Sequence, residues 1–355
     1  MDEDYLFNLP ENENKIENII NITNNMNIQE KIFQTNSNSP LNIKFSKFLT
    51  TDSYSNGFLI NTFISFQSIN NIIYLIYSNN CNSIIFFDLI NNQKLNETKN
   101  AHDHPIFNFR HILDSINNRD LLLSTTKIGV KVWDISNYNC LFKFQGKISI
   151  ANLMNHDTII YILIAHNLNL MYQPTEVFDL NRNNLKTIGN LEKNTYSIET
   201  FYDTKYFNNY IITGHKNYIK SYNFNEKKYY HKYKDDSGFS YSNIIIRNND
   251  NIVKLIEANY DGYIRIWDFH SAELLKKIKC SEKSLISICF WDNEYCFVGV
   301  MNEAIRLVDL KNNCIIKKLD NFLSQVSINK IKIPKSNECL ITQGLYDEQI
   351  KLWIN

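Results

Sequence analysis

The chain has 355 residues, and its 37 basic and 37 acidic side chains leave a formal net charge of zero. That balance argues against a protein that grips nucleic acid or an anionic membrane through bulk electrostatics, since both need a basic excess. Hydrophobic residues make up 44% and aromatic residues 13%, enough to bury one large β domain or two average domains.

Only six of the basic residues are Arg, the side chain whose fork best fits phosphate and carboxylate. A local basic patch remains compatible with the neutral total. About one residue in seven is Asn, whereas Gly and Pro number nine and five. The Asn residues are spread through folded-looking sequence, which fits a base-composition bias better than a prion-like tract. Seven scattered Cys, none in a Cys-x-x-Cys pair, read as small buried hydrophobes in a reducing compartment. The acidic start, Met1-Asp2-Glu3-Asp4, is unlike a secretory or mitochondrial leader. Apolar runs such as Ile159–Ala165 are too short to span a bilayer. The expectation is a cytoplasmic or nuclear protein, with no membrane partner.

In chain order, residues 1–40 come first. They are acidic and Asn-rich, end at Pro40, and carry little apolar surface to offset ordering entropy, so they are expected to form a disordered tail. Within them Leu6, Phe7, Leu9, Ile16, Ile19 and Ile20 make an island suited to a short amphipathic helix or a docking peptide. Residues 41–355 are different. Strand-length runs rich in Ile, Val, Phe and Tyr follow one another, among them Ile72–Tyr77, Leu121–Thr125, Val130–Trp133, Ile211–Thr213 and Cys296–Val300. Polar residues separate them, and no long helical periodicity intervenes. The class is all-β.

A repeat underlies these runs. Aromatic–acid endings, or variants of them, fall at Phe87-Asp88, Trp133-Asp134, Phe178-Asp179, Tyr222-Asn223, Trp267-Asp268, Val308-Asp309 and Trp353-Ile354, spaced 41 to 46 residues apart. A basic residue flanked by branched aliphatics precedes most of them, at Lys131, Lys220, Arg265, Arg306 and Lys351. Asp261-Gly262 opens the clearest copy, with Gly supplying the positive φ of a tight turn.

This unit resembles the WD40 repeat, and residues 41–355 resemble a seven-bladed WD40 β-propeller. The resemblance implies structural roles for His102, Trp133, Asp134, Asp261, Trp267, Asp268, Asp347 and Trp353. In that family a His, a Ser/Thr, an Asp and the Trp tie each blade together. Only Ala101-His102 resembles the family's Gly-His pair, and its acid position falls near Lys127, so the tie is incomplete there. Asp261 with Trp267, and Asp347 with Trp353, keep the other half. Because the chain ends on a third strand, Ile43–Leu49 is expected to supply the last blade's outer strand and close the ring.

Candidate chemistry is sparse. His102-Asp103-His104 lacks further metal ligands nearby, and a structural role for His102 is the simpler reading. Phosphate loops, nucleophile elbows and zinc-protease motifs are missing, so neither catalysis, nor a cofactor, nor a small-molecule substrate is expected. The basic series on the third strands reads as packed stems rather than a functional ring. Other proteins are the expected partners, held on rim loops at Tyr260, Tyr346, Lys127, His215 and Lys216, without direct nucleic-acid binding. The stretch Asn167–Pro174 and the polar tract Lys227–Ser242 are further exposed candidates. The leading function is a non-catalytic scaffold or adaptor. Two alternatives stand beside it: a substrate-recognition subunit of a ubiquitin ligase, suggested by a faint F-box likeness near Leu9-Pro10, and a propeller subunit of a ribonucleoprotein assembly.

Overall fold

A computed structural model describes residues 41, 44–48, 60–79, 82–166, 175–181, 185–186, 195–235, 243–249, 252–319, 326–332, 338–344 and 350–354. The acidic tail, Tyr346, Asp347 and the stretch Asn167–Pro174 lie outside them. The described residues form seven four-stranded antiparallel sheets and no helix. In six of these sheets the strands follow chain order from the first to the fourth, as in blade 2: Ile106–Asp114, Arg119–Thr126, Gly129–Asp134 and Cys140–Gln145. The first strand of each blade packs against the first strands of the blades before and after it. Blade 7, beginning at Val326–Lys332, meets blade 1, beginning at Ile60–Gln67, so the seven close into a β-propeller.

The closure itself is as the sequence led one to expect. Lys44–Phe48 pairs antiparallel with Lys351–Ile354, placing the start of the folded region beside its end in blade 7. Two hydrogen-bonded edges, each a template for unwanted pairing, are thereby removed.

The core lies between blades. Each apolar cluster straddles two neighbours. Leu75 and Phe87 of blade 1 join Ile341 and Leu352 of blade 7; Leu123 and Val132 of blade 2 join Ile160 and Ile162 of blade 3. Fully burying one such side chain stabilises by about 1.5–3 kcal/mol, so blades that share a cluster depend on each other. Side-chain amides add ties near the axis: Asn108 Nδ2 donates to Ala151 O (3.2 Å), Asn152 Nδ2 to Ile198 O (2.8 Å) and Asn329 Nδ2 to Ser65 O (3.1 Å).

The recurring acid caps a turn. Asp88 Oδ1 accepts from the N–H groups of Ile90 (2.8 Å) and Asn91 (3.1 Å), and Asp268 Oδ1 from those of His270 (2.9 Å) and Ser271 (2.8 Å). Asp134, Asp179, Asn223 and Asp309 make the equivalent bonds. Four residues beyond the cap the backbone turns left-handed at Asn92, Tyr138, Lys227, Ala272 and Asn313, with φ between 51° and 62° as in the first-to-second turns. Of the twelve non-glycine residues at positive φ among the described residues, seven are Asn. Asn tolerates that region better than other L residues, which is how a chain with nine Gly builds so many tight turns.

Antiparallel order sorts the connections onto two faces. First-to-second and third-to-fourth turns share one, here the lower face. Second-to-third turns and the links between blades share the other, the upper face.

Candidate protein-docking faces

Several expected structural residues meet as networks. In blade 2, His102 Nε2 lies 2.7 Å from Ser124 Oγ, which also accepts the indole N–H of Trp133 at 2.8 Å. Burial, then the charge of Lys131, pushes the His102 pKa down to about 4, so the ring is neutral near pH 7. In blade 7, Trp353 Nε1 donates to Thr342 Oγ1 at 2.8 Å. In blade 5 the Asp261 carboxylate takes both terminal nitrogens of Arg265. Arg265, 1% exposed, also bonds Asp235 (Nε to Oδ2, 2.7 Å) and lies 3.6 Å from buried Glu257. Burial, opposed by Arg265, raises the Glu257 pKa to about 7.

Three members of the basic series, Lys131, Arg265 and Arg306, do one job repeatedly. Lys131 Nζ donates to Ala101 O (2.5 Å), Arg306 to Cys280 O and to Glu303 (2.5 Å), and Arg265 to Asp235 and Asp261. Each cation sits on a third strand and clamps the link entering its own blade. Arg265 and Arg306 also hold the second-to-third turn. The sequence showed the packed stems but not these tethers, whose partners lie in loops with no pattern of their own.

The described ones among the proposed rim residues lie on the upper face and differ in access. Lys127 and Lys216 are exposed, and Tyr260 is half-buried. His215 is 2% exposed, its Nε2 2.9 Å from Thr213 Oγ1 and its ring stacked on Tyr218. It fixes its turn from inside and offers little surface to a partner, which corrects its reading as a rim contact.

The lower face holds the residues that sequence reasoning missed. Ile69, Ile90, Leu113 and Ile116 of blades 1 and 2 are exposed there, as are Tyr202, Tyr206 and Phe207 of blade 4 and Ile252 of blade 5. Exposure reaches 61% at Ile116 and 72% at Phe207. In the four lower turns of blades 1 and 2 (68–72, 89–93, 114–119 and 135–139) the charged side chains are Asp114 and Arg119. These pair with each other at 3.0 Å, and Arg119 also reaches Asp134 at 3.1 Å. The other exposed or half-buried residues of these turns are Ile, Asn and Ser, with Gln93 and Tyr138.

These turns are held firmly from beneath. Buried Asp120 accepts Ile69 N–H at 2.9 Å and lies 2.7 Å from His111 Nε2, and the His111 ring stacks on Phe66 of blade 1 at 3.6 Å. Asp88 bonds Ile90 N–H, and Asp114 bonds Asn117 N–H at 3.2 Å. The exposed isoleucines are therefore presented on pre-set turns. A surface depleted of charge and already ordered loses little on association.

The sequence matches no protein-family model and no curated protein sequence.

Proposed function

We propose that this chain is a WD40-type propeller that works as a non-catalytic scaffold, holding a protein partner against the lower face of blades 1 and 2. The charge-poor, isoleucine-studded surface at Ile69, Ile90 and Ile116 carries this reading, because each turn is bonded from below while its apolar tip faces solvent. The repeat spacing and the His102–Ser124–Trp133 network support the WD40 assignment. Lys127, Lys216 and Tyr260 of the upper face supply a second, more polar surface in the same scheme.

The test is Ile90→Glu with Ile116→Glu. Both side chains are exposed, so the fold tolerates them. Binding of co-purifying proteins to the tagged protein should fall roughly thirty-fold or more, the loss expected at an interface centre. An unchanged set of bound proteins, with unfolding also unchanged, overturns the assignment of this face.

A further inference from the structure

In the first-to-second turn of blade 4, Phe207 is unfavourably placed twice over. Its backbone is left-handed, at φ 53°, and its ring is 72% exposed. At the equivalent place blades 1, 2 and 3 have Asn71, Asn118 and Asp157, short polar residues that tolerate this region. A phenyl ring there strains the backbone and leaves apolar surface in water. Strain of this kind persists where the surroundings over-determine it, and it concentrates at functional sites.

The surroundings do fix this turn. Asp203 Oδ1 accepts Lys205 N–H (2.8 Å) and Tyr206 N–H (3.4 Å), and Asp203 Oδ2 lies 3.1 Å from His270 Nε2 of blade 5. The Tyr206 ring meets His270 edge-on at 5.2 Å. Asn225, in the third-to-fourth turn, accepts Asn209 N–H at 2.8 Å and donates to Phe207 O at 3.5 Å. Phe207 is therefore a pre-set convex tip, with exposed Tyr202 and Tyr206 beside it. The charge around the tip is uneven. Asp203 is buried within its cap, and Glu226 is bonded to Lys228 at 2.8 Å. Lys205 and Lys227 are exposed, and neither makes an ion pair among the described residues.

We propose that Phe207 is an anchor that inserts into an apolar pocket of a partner protein, with carboxylates on the pocket rim facing Lys205 and Lys227. Docking takes the ring out of water, and a tip already held in place loses little entropy. Aromatic anchors seated in pockets are where interface energy concentrates. A protein pocket fits better than a bilayer because the aromatic tip is one blade wide. The same turn of blade 3 presents exposed Asp157, and exposed Glu226 stands next to Lys227. An anionic headgroup layer would repel both. This anchor is independent of the Ile90 and Ile116 surface.

Isothermal calorimetry on the full-length protein tests it. The probe is carboxymethyl-β-cyclodextrin, an apolar cavity rimmed by carboxylates. Wild type should bind it more tightly than uncharged β-cyclodextrin, and Lys205→Gln with Lys227→Gln should remove that difference. Phe207→Asn should weaken binding about tenfold or more while the melting temperature rises, which separates lost binding from lost folding. Ile90→Glu with Ile116→Glu should leave cyclodextrin binding unchanged, so this site and the blade 1–2 surface fail separately. With p-benzoylphenylalanine replacing Phe207 in the cells that make the protein, irradiation should cross-link it to a protein segment containing Asp or Glu. Four results overturn the proposal: no cyclodextrin binding by wild type, equal binding by Phe207→Asn, cross-links confined to lipid or to a second copy of this chain, or Phe207-dependent partition onto phosphatidylcholine–phosphatidylserine vesicles.

Discussion

Phe207 sits at φ 53° in a first-to-second turn where blades 1, 2 and 3 place Asn71, Asn118 and Asp157. A bulky residue in the left-handed region costs about 1–2 kcal/mol, and this one is also 72% exposed. Phe207→Asn should therefore raise the melting temperature by a few degrees, read by thermal unfolding. Arg265 presents the reverse case. Removing it as Arg265→Leu strands Asp235, Asp261 and Glu257 around an uncharged stem, which should cost about 3–5 kcal/mol in a urea titration. Glu257 gives that cluster a pH signature. Its pKa rises from 4.5 to about 7 on folding, so between those values the folded protein keeps a proton that the unfolded chain has lost. Stability then falls as pH rises through that window. Glu257→Gln should match wild type near pH 5 and gain on it by pH 8, in paired thermal melts. None of this was legible in the sequence beyond Asp261 and Arg265 as members of one repeat, because Asp235 enters from the preceding blade link.

At the scale of the element, the blade was easier to read at its centre than at its edge. Second and third strands are near-continuous apolar runs because both their faces are buried, as in Ile73–Asn79 and Leu121–Thr126. Outer strands such as Lys228–Tyr233 and Leu274–Lys279 expose half their residues and read as polar spacers. Part of the tract Lys227–Ser242, taken as an exposed polar stretch, is thus the fourth strand of blade 4. The blade 2 tie has its own pH dependence. His102 titrates at 6.5 when unfolded and near 4 when folded, so acidification across that range favours the unfolded chain. Ser124→Ala should cost about 1–3 kcal/mol, since it leaves two buried ring nitrogens without their shared partner. His102→Asn should lose less at pH 4.5 than at pH 7.5, measured as the change in melting temperature. The apolar tips of the lower face went unread because an isoleucine between two asparagines looks the same whether it turns inward or outward. Only the turns fixed by Asp88, Asp114 and Asp120 decide the matter.

For the whole molecule, the number of blades followed from spacing alone, and the closing strand from counting what the last repeat lacked. Amide ties between first strands, such as Asn329 to Ser65, join positions 264 residues apart and leave no trace in local pattern. Shared interfaces imply that blades do not unfold singly, since clusters such as Leu75 with Ile341 belong to two at once. Deleting residues 1–48 removes the strand at Lys44–Phe48 and bares the edge of Lys351–Ile354. That truncation should broaden the unfolding transition and produce aggregates in light scattering, whereas deleting residues 1–40 should do neither.

The pairing of Phe45 with Trp353 also sets a timetable. During synthesis the early partner leaves the ribosome some three hundred residues before the late one exists. Until then it has nothing native to grip, and the nascent protein carries an adhesive ribbon through most of its own translation. Assembly of this blade therefore finishes only after residues 351–354 emerge.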